Sequence, residues 1–240
     1  RTAATTGLSV STTRLTEGSR IYAAEFDSED WSGNVKAIDV FDETTIWEAD
    51  LDDPDDRKIL TSNASGNGGE PFKTSLDDTL KDLIDSDEAT ANRIIAYVRG
   101  NDISSFRDRD TALGDIVNSR PVFVGESNEG WRRLPGSAGS SYRDFVNSKE
   151  GRTDAVYVGG NAGMLHAFDA TDTMSGGNEL FGYVPRAVLP KLKALTEDPY
   201  DHEFFVDGQV VVRDAWNGSS WRRVLVGGLG AGGRGIFAID

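Results

Sequence analysis

The chain has 240 residues and a formal net charge of −15, and it contains no cysteine. Without thiols there can be no disulfides, cysteine nucleophiles or zinc–thiolate sites. No apolar run approaches the length of about 18 residues that a membrane span needs, so the sequence predicts no transmembrane segment. Twelve acidic residues accompany the single Lys36 between Asp27 and Asp56. Such a field repels phosphate backbones, so we expect no nucleic acid among the partners.

The first 73 residues are predicted to begin with strands and to end in a loop. Strands are expected at 8–10, 20–26, 33–40 and 44–47, where apolar and β-branched residues dominate. Residues 48–73 are rich in Asp, Gly and Ser, and this composition is typical of a loop.

Residues 74–100 predict a helical insertion between two sheets, or blades, of a β structure. Ser75 is the expected N-cap of a first helix. In a second helix Ile94 and Val98 share one face, and Gly100 is the expected C-terminal stop. The apolar faces are too narrow for the helices to be stable alone, so we expect them to pack on the β core.

Beyond residue 113 the pattern returns to β structure. The predicted elements are a strand within 114–125, a loop at 126–141, a short helix at 142–146, a hairpin at 155–169, a short helix at 187–195, and strands at 221–227 and 235–240. Asp207 and Gly208 stand between two apolar runs. An Asp-Gly pair in this position favours a hairpin with a two-residue type I′ turn.

A short signature recurs three times and predicts the architecture. Each copy runs from a glycine through an apolar segment to an aspartate, and two copies follow a strand that ends in Gly-Gly. One hairpin cannot bury its own apolar face, so the recurrence indicates a radial or stacked β architecture. We expect the aspartates to accept hydrogen bonds from amides of the following turn. The residues of this predicted structural motif are Gly33, Asp39, Gly159, Gly160, Gly163, Asp169, Asp207, Gly208, Gly227, Gly228 and Asp240.

Five segments of the chain resemble a known family. They are residues 113–125, 156–170, 183–192, 202–208 and 224–240. In this order they resemble the C-terminal domain of the PilC/PilY family, whose members are type IV pilus biogenesis factors and pilus-tip adhesins. The resemblance extends from about residue 21 to the end.

The resemblance implies a fold, a location and a set of partners. The fold would be mostly β, a partial quinoprotein-like β-propeller with small helical insertions, and residues 1–240 would be part of one C-terminal propeller domain of a longer exported protein. The protein would act without catalysis at the bacterial surface or pilus tip, and would pass through the periplasm or outer membrane during assembly. Its partners would be minor pilins, the pilus-tip complex and a host or abiotic surface.

Calcium is the cofactor that the resemblance implies for the full-length family. The family's calcium loop is expected downstream of Asp240, so we expect this chain to bind no calcium through it. The acidic stretch 50–56 is an alternative cation site, but it lacks the central glycine of an EF-hand loop and contains Pro54. A solvated loop is the simpler interpretation.

Other functional patterns are weaker. Gly228, Gly230 and Gly233 have the spacing of a dinucleotide fingerprint, but a strand rather than a helix is expected next. His166 and His202 occur without a serine elbow or a cysteine, so no catalytic or cofactor-binding residues are predicted. Two alternatives stay open: a fragment of a pyrroloquinoline-quinone oxidoreductase, and an unrelated exported propeller that binds calcium or glycans.

Overall fold

The computed structural model describes residues 3–11 and 18–240. Sheet 1 is an antiparallel meander in chain order: β1 (Ala3–Val10), β2 (Arg20–Asp27), β3 (Ser32–Asp39) and β4 (Thr45–Glu48). These strands confirm the four expected in the first fifty residues. In β3 the buried residues Val35 and Ala37 alternate with half-buried neighbours, which is the period of a strand with one face on the core.

Sheet 2 has six strands and collects segments from distant parts of the chain. Its spatial order is β6 (Gly69–Pro71), β5 (Ile59–Ser62), β10 (Glu179–Val184), β9 (Met164–Asp169), β8 (Ala155–Gly160) and β7 (Val122–Val124). The predicted hairpin at 155–169 is confirmed as β8 and β9. The predicted loop at 48–73 is wrong in part, because it contains β5 and β6. β5 pairs in parallel with β10, a partner more than a hundred residues away that local sequence does not indicate.

Sheet 3 is a three-stranded meander of β11 (Val210–Trp216), β12 (Trp221–Gly228) and β13 (Ile236–Ile239). The predicted type I′ turn at Asp207 and Gly208 is wrong. Neither residue has a positive φ, and no strand precedes them. Both lie in an irregular segment before β11, because the Asp207 carboxylate binds another part of the chain (see below).

Within the described residues, three α-helices accompany the sheets: α1 (Asp78–Ile84), α2 (Glu88–Arg99) and α3 (Gly136–Asn147). The N-cap of α1 is Asp77 rather than Ser75, and its carboxylate accepts a hydrogen bond from the Thr79 amide. Gly100 ends α2 with φ of 122°, as predicted. In the chain, α1 and α2 lie between β6 and β7, the two edges of sheet 2. The helices therefore connect two strands of the same sheet. The sequence pattern predicts instead that they connect two different sheets.

Helix α3 begins inside the stretch predicted as a loop. Its first turns are rich in Gly and Ser, which are poor helix formers, and so the sequence indicated helix only from residue 142. Packing on sheet 3 compensates for this low propensity: the Trp221 indole donates to the Ala138 carbonyl at 2.8 Å, and its ring lies 4.6 Å from that of Tyr142. The helix predicted at 187–195 is a 3₁₀ helix spanning Arg186–Thr196.

Two apolar clusters hold the sheets together, one on each face of sheet 2. The first lies between sheets 1 and 2 and contains Tyr22, Val35, Val158 and Phe168. The second lies between sheet 2, helices α1 and α2, the 3₁₀ helix Arg186–Thr196 and sheet 3. Every residue of β9 is buried, as expected for a strand with packing on both faces. Sheet 2 is thus the middle layer of the described part of the chain.

Candidate functional site: a polar seam between the sheets

The segments that carry the sequence motifs meet in one place, which we call the seam. The seam consists of five segments: residues 31–33 at the start of β3, the irregular segment 113–119 before β7, residues 159–163 at the end of β8 and the turn after it, the irregular segment 202–209 before β11, and residues 228–230 at the end of β12. Their unpaired backbone groups would be left without partners on burial, so polar side chains must supply hydrogen bonds there.

Asp115 is the centre of the seam. Its carboxylate is buried, and one oxygen, Oδ2, accepts from Asn161 Nδ2 at 2.8 Å and lies 2.9 Å from His202 Nε2. Its amide donates to the Trp31 carbonyl, and its own carbonyl accepts from the Asn161 amide. A single residue therefore links all three sheets.

Trp31 adopts a conformation that its residue type disfavours. Its φ is 60°, in the left-handed region that bulky side chains avoid. The indole stacks on the His202 imidazole with ring centres 3.7 Å apart and an interplanar angle of 25°. The stacking contact, together with the backbone bond from Asp115, offsets the strain of about 1–3 kcal/mol that such a conformation carries.

Asp207 joins sheet 3 to the segment before β7. Its buried carboxylate accepts from the amide of Asn118 at 3.0 Å and from Asn118 Nδ2 at 2.7 Å. Its own amide donates to the Leu229 carbonyl. Nearby, Ser119 Oγ accepts from the Gly159 amide at 2.9 Å. The role of Asp207 is thus to cap a distant backbone segment rather than to form a hairpin turn.

Several motif glycines are required because backbones approach closely at the seam. A Cβ on Gly33 would lie 2.3 Å from the Gly114 carbonyl oxygen, one on Gly159 would lie 2.2 Å from that of Val206, and one on Gly208 would lie 2.3 Å from that of Gly228. Gly33 and Gly159 are therefore strand residues in which only a hydrogen fits, not turn residues. Gly163 is the turn residue of the hairpin, with φ of 95°.

The recurrent aspartates follow two patterns. Asp39 accepts from the amides of Phe41 and Asp42, and these bonds lower the pKa of its carboxyl. Asp169 likewise accepts from the amide and hydroxyl of Thr171. Asp240 instead lies 3.4 Å from Arg222. The first two stabilise the turn that follows their strand.

A second buried network lies inside sheet 2, between β9 and β10. Glu179 receives two hydrogen bonds from Arg57, at 2.7 and 2.9 Å, and lies 2.8 Å from His166 Nδ1. Burial alone would raise the pKa of Glu179, but the bonds from Arg57 and His166 lower it to about 2. Burial lowers the pKa of His166, so its imidazole is neutral and donates from Nδ1. Nothing in the local sequence signals this network, because Arg57 is 122 residues from Glu179.

The other predicted site residues do not form a reaction centre. His166 is fully buried and cannot reach a substrate, while His202 is held by Asp115 and Trp31. The segment after Gly228 is a three-residue 3₁₀ turn followed by β13, so the dinucleotide fingerprint has no helix to present to a phosphate.

The acidic stretch at 50–56 folds as a turn. The Asp53 carboxylate accepts from the Asp55 amide, and the Asp53 carbonyl accepts from the Asp56 amide. In residues 3–11 and 18–240 no three His, Asp or Glu side chains are grouped so that they could hold a metal ion. No helix in these same residues is long and apolar enough to cross a membrane.

The three stacked sheets make the chain a mostly β protein that forms part of a β-propeller and does not close into a ring. The family model of the PilY1 beta-propeller domain matches residues 113–240, which include four of the five seam segments. The chain therefore belongs to the PilY1 β-propeller family.

Relatives with similar sequences carry pilus-related names. A type IV pilus biogenesis factor PilY1 homolog of Xylella fastidiosa is 39% identical, over 98% of this chain and 19% of that protein. Type IV pilus biogenesis factor PilY1 of Pseudomonas aeruginosa is 43% identical, over 61% of this chain and 13% of that protein. The crystal structure of the P. aeruginosa PilY1 C-terminal domain is 41% identical, covers 49% of this chain and 22% of that chain, and has a TM-score of 0.37. The chain thus spans about a fifth or less of these curated relatives.

Proposed function

We propose that this chain is a non-enzymatic scaffold module of a type IV pilus biogenesis factor at the bacterial surface or pilus tip. The observation that carries the proposal is the family match over residues 113–240, together with relatives named as pilus biogenesis factors. The module acts mechanically: its sheets form a rigid arc, and its loops contact minor pilins and the rest of the tip complex. Through the full-length protein it supports adhesion to a host or abiotic surface.

The seam supports a mechanical role. Apolar packing between sheets has no preferred direction and tolerates sliding, whereas hydrogen bonds fix orientation. Asp115 and Asp207 tie three sheets together through short, buried, directional bonds. A module built in this way transmits force without rearranging its sheets.

The proposal is tested in a piliated strain that carries the full-length gene. Gly159→Ala should disturb the seam, while the adjacent Gly160→Ala has space for its Cβ and is the matched control. We expect fewer surface pili and weaker attachment with Gly159→Ala, and wild-type levels with Gly160→Ala, at equal amounts of exported protein by immunoblot. Unchanged piliation after removal of the whole segment would contradict the proposal.

Calcium is assigned to another part of the full-length protein. Within the described part of the chain no three His, Asp or Glu side chains are grouped so that they could hold a metal ion, and Asp169 and Glu179 already accept hydrogen bonds from a turn and from Arg57. Calorimetric titration of the chain with calcium chloride should therefore give no saturable heat. Binding in the micromolar range would refute this assignment.

A further inference from the structure

A basic groove lies on the outer side of helix α3, away from the seam. It has a volume of about 460 Å³ and runs between α3 and the short 3₁₀ turn Trp131–Arg133. Three arginines line it, and no carboxylate does. The lining residues are Asn128, Gly130, Arg132, Arg133, Tyr142, Arg143, Val146 and Asn147.

The guanidinium groups of the three arginines are free within residues 3–11 and 18–240. Some arginines elsewhere are paired with carboxylates, as in Arg57 with Glu179 and Arg223 with Asp214. By contrast Arg132, Arg133 and Arg143 are exposed, and within the described residues none of their guanidinium groups takes part in an ion pair or a side-chain hydrogen bond. Three positive charges on one groove create a positive local potential. This potential attracts an anion to the groove even though the net charge of the whole chain is −15.

The wall of the groove is rigid. Tyr142 is buried, and its hydroxyl donates to Asp214 Oδ2 at 2.7 Å and accepts from the Glu129 amide at 2.8 Å. Just past the end of α3, Lys149 donates to Asp214 Oδ2 and to the Ser127 carbonyl. These bonds fix α3 and the 126–130 segment on sheet 3, so the arginines project from a fixed frame and less entropy is lost on binding.

We propose that this groove binds a carboxylated polysaccharide, with the guanidinium groups on uronate carboxylates. A guanidinium fork matches a carboxylate with two parallel hydrogen bonds. The side-chain amides of Asn128 and Asn147, which line the groove, suit sugar hydroxyls. The volume falls in the range of about 300–1,000 Å³ that is usual for ligand sites. An acidic peptide fits less well, because Val146 is the one aliphatic side chain in the lining and leaves no apolar anchor pocket.

This proposal goes beyond the scaffold role. The two can be tested separately, because polysaccharide binding is measured on the purified chain and the scaffold role is measured as piliation in cells. The probe is a set of oligogalacturonates, and the matched ligand is the same material with its carboxylates methyl-esterified. We expect saturable binding of the acid form by calorimetry, no binding of the ester, and an affinity that falls as salt rises.

The protein control is a matched change of charge. Arg132→Gln combined with Arg143→Gln should weaken binding by about tenfold or more, because a glutamine amide cannot form the charge-assisted, paired hydrogen bonds that a guanidinium forms with a carboxylate. Arg234→Gln removes an exposed arginine outside the groove and should change the affinity by less than about twofold. Near-UV circular dichroism establishes that all variants are folded. Equal binding of acid and ester, equal effects of the groove and control variants, or tighter groove-dependent binding of polyglutamate would each overturn the proposal.

Discussion

Gly159 and Gly160 provide a direct test of why the seam requires glycine. They are adjacent in β8 and belong to the same Gly-Gly motif. A Cβ on Gly159 would lie 2.2 Å from the Val206 carbonyl oxygen and 3.0 Å from Val206 Cγ1. A Cβ on Gly160 would lie no closer than 3.5 Å to any atom, and its nearest neighbour would be the His166 ring. Alanine at the first position should therefore push two sheets apart, and alanine at the second should not.

The magnitude follows from these distances. The contact at Gly159 is with backbone, which cannot rotate away, so the segment that contains Val206 must move by about 1 Å. Overpacking of this kind costs about 1–3 kcal/mol. The shift also stretches the bond from the Gly159 amide to Ser119 Oγ, which adds about 1 kcal/mol. Gly160→Ala should instead be neutral, or stabilising by about 0.4–1 kcal/mol, because alanine restricts the unfolded chain.

Urea unfolding followed by tryptophan fluorescence measures both variants. We expect Gly159→Ala to lower the free energy of unfolding by about 2–4 kcal/mol, and Gly160→Ala to leave it unchanged or slightly higher. Equal losses in the two variants would refute the reasoning, because they would show that strand propensity rather than close backbone approach decides the residue.

Four further predictions concern buried polar groups. Asp115→Asn keeps the shape but replaces one acceptor with a donor, so we expect a loss of about 1–3 kcal/mol in urea unfolding and no loss would contradict its central role. The pKa of Glu179 is lowered to about 2, so the stability that this group contributes is present above its ordinary pKa of 4.5 and is lost as pH falls from 4.5 through 2; in Glu179→Gln the fall in stability over this range should be shallower than in the wild type, because other carboxyls with lowered pKa values, such as Asp214, still contribute. The pKa of His166 is lowered as well, so stability should also begin to fall below pH 6.5, and a His166→Gln variant that kept the same slope would be evidence against this. Lys149→Met leaves the buried Asp214 carboxylate with Arg223 as its remaining cation and should cost about 1–3 kcal/mol in urea unfolding; a double-mutant cycle with Asp214→Asn measures the coupling between Lys149 and Asp214, and a coupling energy near zero would contradict the pair's role.

The parts of the fold that sequence could predict are those whose partners are close in the chain. The hairpin of β8 and β9 and the meander of sheet 1 join consecutive strands, so their apolar patterns are sufficient. β5 has a similar pattern in only four residues. It forms a strand because it pairs with β10, and that segment is too far along the chain for the sequence around β5 to reveal the pairing. The first half of helix α3 was not predicted, because its residues have low helix propensity. Contacts of the helix with Trp221 and Asp214, which are distant in the chain, stabilise it.

The sequence motif and the seam overlap only in part. Gly33, Gly159, Asp207 and Gly208 lie in the seam, whereas the recurrent aspartates Asp39, Asp169 and Asp240 lie outside it, and its central residue Asp115 belongs to no recurrent pattern. What Asp207 binds is not visible, because Asn118 is 89 residues away. The Asp-Gly pair therefore indicated the commonest local structure, a tight turn, when the residue has a long-range role. Sequence patterns indicate which positions are constrained. Only the three-dimensional contacts show which interaction constrains each position.

The placement of charge in this chain separates a rigid interior from a surface available to partners. The buried carboxylates of Asp115, Asp207, Asp214 and Glu179 are each satisfied by donors from another segment, so they specify how the sheets are oriented. Within the acidic stretch 27–56, Asp27, Asp39 and Asp53 accept hydrogen bonds from turn amides, and the stretch keeps a net negative surface. The α3 groove has the opposite sign, because three exposed arginines line it and no carboxylate does. This grouping of like charges in one concave site is the physical reason to assign an anionic ligand to the groove rather than to the seam.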